Sequence, residues 1–185
     1  MPATSVQKLA RVLKVLVTIT FVCNLIALVL VPGLVYIGTR QGLVEWWSYD
    51  IDDALHMLFF GGWSQWGKSG VHTDVLSGFL LVCGVLTAVI LWQGRRVLDT
   101  ILAGNPFQTK NGANLRRAAV CCFLISAAAL VRVLWGLIYY RSLAPILTYN
   151  ALFVPIFFMG GLLCLVMSAL FRQAAELKAE NDLTI

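Results

Sequence analysis

Charge is what this sequence has least of. Asp, Glu, Lys and Arg make up 12% of its 185 residues, roughly half the ~25% share of a soluble globular domain. With 59% of the residues hydrophobic, a water-soluble globule of this length has too little interior to hide them, because small domains keep a large surface-to-volume ratio. A disulfide scaffold is excluded by placement. The five cysteines (Cys23, Cys83, Cys121, Cys122, Cys164) all fall inside apolar runs, and neither a CxxC nor a Cys/His metal spacing occurs. They read as buried thiols packing as small apolar groups. HExxH, EF-hand and GxSxG patterns are missing. Gly67-Lys68-Ser69 is a fragment of a phosphate loop without the rest of it. No internal repeat or low-complexity segment is evident.

What is present is four long apolar runs: Val12–Ile37, Val75–Trp92, Ala118–Tyr140 and Ile146–Phe171. About 20 apolar residues carry a helix across the hydrocarbon core. The second run is short, but Arg95 and Arg96 at its end can snorkel. Lys8, Arg11 and Lys14 resemble the basic region of a signal peptide. The run after them is too long and reaches Pro32-Gly33 and Tyr36 without a small-x-small cleavage site, so it reads as a retained first helix. The expected fold is all-α: a four-transmembrane-helix bundle forming one membrane domain over residues 1–185. Its helices are expected at about 8–37, 75–103, 113–140 and 146–180, with an outer loop at 38–74 and a cytoplasmic loop at 93–117.

Lys and Arg set the expected orientation. Ten of the fourteen flank the spans on one side: Lys8, Arg11 and Lys14, then Arg95, Arg96, Lys110, Arg116 and Arg117, then Arg172 and Lys178. Three (Arg40, Lys68, Arg141) lie on the other side, and Arg132 lies within a span. Both termini and the second loop are therefore expected in the cytoplasm. The net charge of +5 is then a topology signal that also favours anionic lipid heads. Direct nucleic-acid binding, which needs clustered bases with motif support, is not expected.

Ser5 is a candidate N-cap for helix one, and Pro32-Gly33 is expected to kink or end it. Asn24 is a polar residue in mid-span that can bond another helix. The outer loop holds five of the nine acids and four of the six tryptophans, rings that favour the membrane interface. Within it Ile51–Phe60 reads as a short interfacial helix, with Leu55, Leu58 and Phe59 down and Asp52 and Asp53 up. Gly104 suits a helix C′ position with Pro106 beyond it, and Asn111 or Asn114 is expected to cap helix three. Arg132 is the one charge well within a span, so it is either paired outward or functional. Helix four is expected to start near Ile146 and to contain Asn150 and Pro155. Gly160-Gly161 allows close helix approach, and the helix is expected to project beyond the membrane to about Asn181.

The best cluster for metal chemistry is Asp50, Asp52, Asp53 and His56, with His72 and Asp74. Asp53-x-x-His56 puts two ligand types on one helical face, but an acidic solvated loop explains the same residues. Ser64, Ser69 and Ser77 neighbour the histidines only in sequence. No catalytic residue and no cofactor is expected.

Two segments carry a resemblance. One is Leu98-Asp99-Thr100-Ile101-Leu102-Ala103-Gly104-Asn105-Pro106-Phe107 with Asn111, Asn114, Leu115, Arg116 and Arg117. The other is the tail from Ala169 to Ile185. Together they resemble the bacterial membrane family called domain of unknown function 2975. The resemblance covers helices two to four, helix one fits in kind, and the tryptophan-rich loop lies outside it. It implies a four-helix protein of the bacterial cytoplasmic membrane without an assigned activity. Members often lie beside a gene for a small helix-turn-helix regulator, which implies such a regulator as a partner; self-association is the alternative, and membrane lipids are expected from the hydropathy and charge. The expected role is non-enzymatic and regulatory. Its surface is expected to comprise Asp99, Asn105, Pro106, Phe107 and Asn114 with Glu176, Glu180, Asp182 and the Leu183–Ile185 end. The alternatives are an oligomeric transporter or channel with Arg132 and Asn24 lining the path, and a metal-dependent activity at the outer loop.

Overall fold

The computed structural model describes residues 5–41, 50–141 and 143–183. Glu45, Trp46, Trp47, Tyr49, Thr184 and Ile185 lie outside them, as do the side chains of Ser5 and Asp182. Among the described residues every regular element is helical. Helix α1 (Ser5–Tyr36) runs into a π turn at Ile37–Gln41. Next come α2 (Ile51–His56), a π turn at Met57–Gly61 and α3 (Gly62–Gln65). Helix α4 spans Val71–Leu102, and α5 spans Thr109–Tyr140. Two 3₁₀ turns, Ala144–Leu147 and Tyr149–Leu152, lead into α6 (Phe153–Leu183).

Helices α1, α4, α5 and α6 are each long and apolar enough to cross a membrane. Their outward faces are covered in large apolar side chains, among them Val12, Leu16 and Ile19 on α1 and Leu163 and Val166 on α6. Water would not tolerate apolar exposure on this scale, and hydrocarbon does. The chain is a multi-pass membrane protein.

The residues fall into two compact units, one of Met1–Val22 with Leu86–Ile185 and one of Cys23–Val85. In the second unit, Pro32 is fully buried. Helix α1 does not end at Pro32-Gly33 but continues to Tyr36. Here the glycine serves close approach: a Cβ on Gly33 would overlap the Leu58 carbonyl, and one on Gly62 would overlap the Pro32–Gly33 backbone. The indole nitrogen of Trp63 donates to the Val29 carbonyl at 3.0 Å, in the turn where Pro32 removes a backbone donor. The short helix expected over Ile51–Phe60 is present, as α-helix to His56 and as a π turn over Met57–Gly61. Leu58, expected to face the membrane with Leu55 and Phe59, is instead half-buried with its backbone against Gly33. Thr39 and Thr73 hydroxyls lie 3.3 Å apart.

In the first unit, α5 and α6 pack antiparallel along their lengths. Buried Ala118, Cys122, Ile125 and Ala129 recur on one stripe of α5, the spacing of a helix–helix seam. Ser168 Oγ donates to the Gly112 carbonyl at 2.7 Å, and Ser126 Oγ to the Val154 carbonyl at 2.9 Å. Gly161 meets the Phe123 ring, while Gly160 faces open space. The close approach expected of the Gly160-Gly161 pair is thus carried by Gly161 alone, and Gly112 provides a second one, against the Ser168 backbone. Helix α6 begins seven residues later than expected, at Phe153, with the 3₁₀ turns taking the preceding stretch. Pro155 sits in its first turn, where a missing N–H costs no helical bond. Lys14 Nζ lies 2.6 Å from Asp99 Oδ1, and the Phe21 and Trp92 rings meet at 5.9 Å.

Candidate functional site

The turn between α4 and α5 is built by three residues. Gly104 takes φ +77°, a left-handed conformation that side chains with a Cβ disfavour. Asn105 N–H then bonds the Thr100 carbonyl and Gly104 N–H the Ile101 carbonyl, both at 3.1 Å. This is the two-bond C-terminal cap anticipated from Gly104 and Pro106. Asn111 is fully buried. Its amide donates to Thr100 Oγ1 at 2.6 Å and to the Pro106 carbonyl at 2.7 Å, so it staples the turn to the end of α4.

Neither Asn111 nor Asn114 caps α5. The helix begins at Thr109, with Gln108 at the N-cap in an extended conformation and without a side-chain cap bond. Both asparagines lie inside the first two turns and are buried. Asn111 serves the turn because its amide reaches back to two acceptors there.

Phe107 is held on the outside of this turn, half exposed, with its ring 6.3 Å from that of Phe171 on α6. Helix α6 runs past the turn, and Arg172 Nε pairs with Glu176 Oε1 at 3.0 Å. Between the turn and α6 lies an open groove of about 360 Å³. Phe107, Gln108, Thr109 and Lys110 line one wall, and Ala175, Glu176 and Ala179 the other. A second cavity of about 360 Å³ adjoins Glu176, lined by Leu165, Ser168, Ala169, Arg172 and Gln173. The lining of the groove is apolar at Phe107, Ala175 and Ala179 and carries an ammonium (Lys110) and a carboxylate (Glu176). The first backbone N–H groups of α5 add partial positive charge.

The surface expected from the sequence is thus divided. Phe107 and Glu176 come together in the groove. Asp99 is engaged by Lys14, Asn105 and Pro106 act through their backbones, and Asn114 is buried. Glu180 lies exposed on α6 beyond the groove. Gln108, Thr109, Lys110, Ala175 and Ala179 were not anticipated. The Ala175-Ala179 spacing, one helical turn, was the available signal for a small-residue face. Arg132 is half-buried on α5. Asn24 Oδ1 on α1 is buried and has no hydrogen-bond partner among the described residues. Neither residue lines either cavity.

Among the described residues no three His, Cys, Asp or Glu side chains converge on a metal position. Asp50 accepts from Ile51 N–H as the cap of α2, and Asp74 accepts from Gly67 N–H at 3.1 Å.

The family described as "Protein of unknown function (DUF2975)" matches residues 13–185. The chain belongs to this family. No curated protein and no solved structure matches it. The match takes in the turn, α5 and the whole of α6, so the groove of this family member is built entirely from matched positions.

Proposed function

We propose that the protein is a regulatory, non-enzymatic protein of the bacterial cytoplasmic membrane. Both termini face the cytoplasm, and a soluble partner docks in the groove between the 103–108 turn and the end of α6. The observation that carries this reading is the convergence of two segments distant in sequence. Phe107 and Lys110 come from one, and Ala175, Glu176 and Ala179 from the other, on a single groove of about 360 Å³. Lipid does not require a stapled turn or a helix projecting beyond the span. The bias of ten cations against three supports the orientation. A small helix-turn-helix regulator is the partner class we propose, and its amphipathic helix suits a groove lined by both apolar and charged side chains.

A photo-activatable residue at Phe107 or Ala179, exposed in living cells, tests this. The expected product is a crosslink to a soluble DNA-binding regulator that Glu176→Lys weakens and that deletion of Glu180–Ile185 reduces. Crosslinks confined to lipid would overturn the partner reading. Reporter fusions at Asn105 and after Ile185 test the orientation, and signals from opposite faces of the membrane would reject it.

A further inference from the structure

The depth at which the 51–66 segment meets α1 points to its environment. The Lys14–Asp99 ion pair keeps the start of the apolar stretch of α1 at a membrane boundary, since a carboxylate has no place in hydrocarbon. The core takes roughly 20 helical residues, so a window opening at Val15 closes near Leu34. Val29 then lies about 7 Å inside the far boundary, at about 1.5 Å per residue, and deeper if the window opens later. Yet Val29 accepts the Trp63 indole N–H, and Gly33 touches the Leu58 and Gly62 backbones. Residues 58–63 therefore sit at or below the level of the hydrocarbon boundary.

The segment is chemically fit for that depth. From Ala54 to Gly67 it holds no Asp, Glu, Lys or Arg, while Asp50, Asp52 and Asp53 cluster at its start. Residues 51–65 are helical throughout, so their backbone groups are largely satisfied within the segment, as lipid demands. Leu55, Phe59, Phe60, Trp63 and Trp66 are nonetheless exposed, Phe60 to 66%. The Trp63 and Trp66 rings adjoin at 5.5 Å. An indole on a water-facing loop needs no protein acceptor, whereas one in lipid does.

We propose that Leu55–Trp66 is a re-entrant interfacial segment. Its Phe59, Phe60, Trp63 and Trp66 rings are embedded among the upper acyl carbons and glycerol groups of the leaflet nearest Gly33. The inference rests on the membrane placement of α1 and not on which face of the membrane is cytoplasmic.

The test uses the full chain in phospholipid vesicles whose acyl chains carry bromine at shallow or deep carbons, with iodide as the aqueous quencher. Trp66→Phe, which leaves the Val29 bond intact, and Trp63→Phe each subtract one component of the tryptophan emission. The subtracted component is expected to lose intensity most with shallow bromine, less with deep bromine, and not with iodide. Quenching by iodide overturns the proposal, because the ring is then in water. Insensitivity to every quencher overturns it too, because protein then covers the ring. Trp135→Phe provides the reference, since Trp135 is exposed on the apolar length of α5. If the Trp135 component also ignores bromine, the membrane placement itself fails and takes the inference with it.

Discussion

Ser168 Oγ donates to the Gly112 carbonyl at 2.7 Å across the α5–α6 seam, and a Cβ built on Gly112 would stand 3.1 Å from the Ser168 carbonyl oxygen. Both contacts exist because one helix offers no side chain at the crossing. Hydrocarbon supplies no hydrophobic drive between helices, so close packing and interhelical hydrogen bonds hold such a pair. Gly112→Leu is expected to cost about 1–3 kcal/mol by overpacking, read as a lowered midpoint of thermal unfolding in detergent. Ser168→Ala is expected to cost less, about 0.6 kcal/mol, because the backbones can still approach. Equal stability of Gly112→Leu and wild type would show that the seam lies elsewhere.

Asn111 binds the turn with two short bonds from one buried amide. Asn111→Leu is expected to cost about 1 kcal/mol or more by leaving two part-buried acceptors without their donor. The sign appears locally: limited proteolysis should cut between Gly104 and Gln108 faster than in wild type, at unchanged helix content by circular dichroism. Resistance equal to wild type would mean that the turn is held without the amide.

Gly104→Ala tests the left-handed cap. At φ +77° a Cβ costs about 1–2 kcal/mol. The end of α4 is expected to fray, with faster amide exchange at Gly104 and Asn105, whose N–H groups close the cap. Unchanged exchange there would count against the observed geometry.

The Lys14–Asp99 pair is about one-third exposed at the lysine and one-half at the carboxylate, so its contribution to stability is small, about 0.2–1 kcal/mol. Its value is positional. Lys14→Asp alone is expected to reduce the yield of folded protein in membranes, and Lys14→Asp with Asp99→Lys to restore it. A double variant no better than the single one would deny the pairing.

Much of this was legible beforehand. Four runs of apolar residues between clusters of Lys and Arg announce membrane helices, because the bilayer imposes its thickness on any chain that crosses it. Gly104 with Pro106 announced the cap, since few residues tolerate that backbone. Asn111 misled because asparagine serves equally as a helix cap and as a brace for the preceding turn. Only the position of Thr100 and Pro106 in space separates the two. Of the Gly160-Gly161 pair only Gly161 serves the close approach, against the Phe123 ring, and the second tight crossing, at Gly112, had no signal beyond a glycine at the start of a helix.

By itself, then, the amino-acid order determined the solvent, the number of long helices and, at Gly104, a place where helix must stop. Those depend on transfer energy and backbone sterics, which act residue by residue. Only the tertiary structure decided that Phe107 and Glu176 share a groove and that Trp63 reaches the Val29 carbonyl. Contacts between residues far apart in the chain depend on how helix faces rotate and slide past one another. The small and aromatic side chains at each crossing set that rotation jointly.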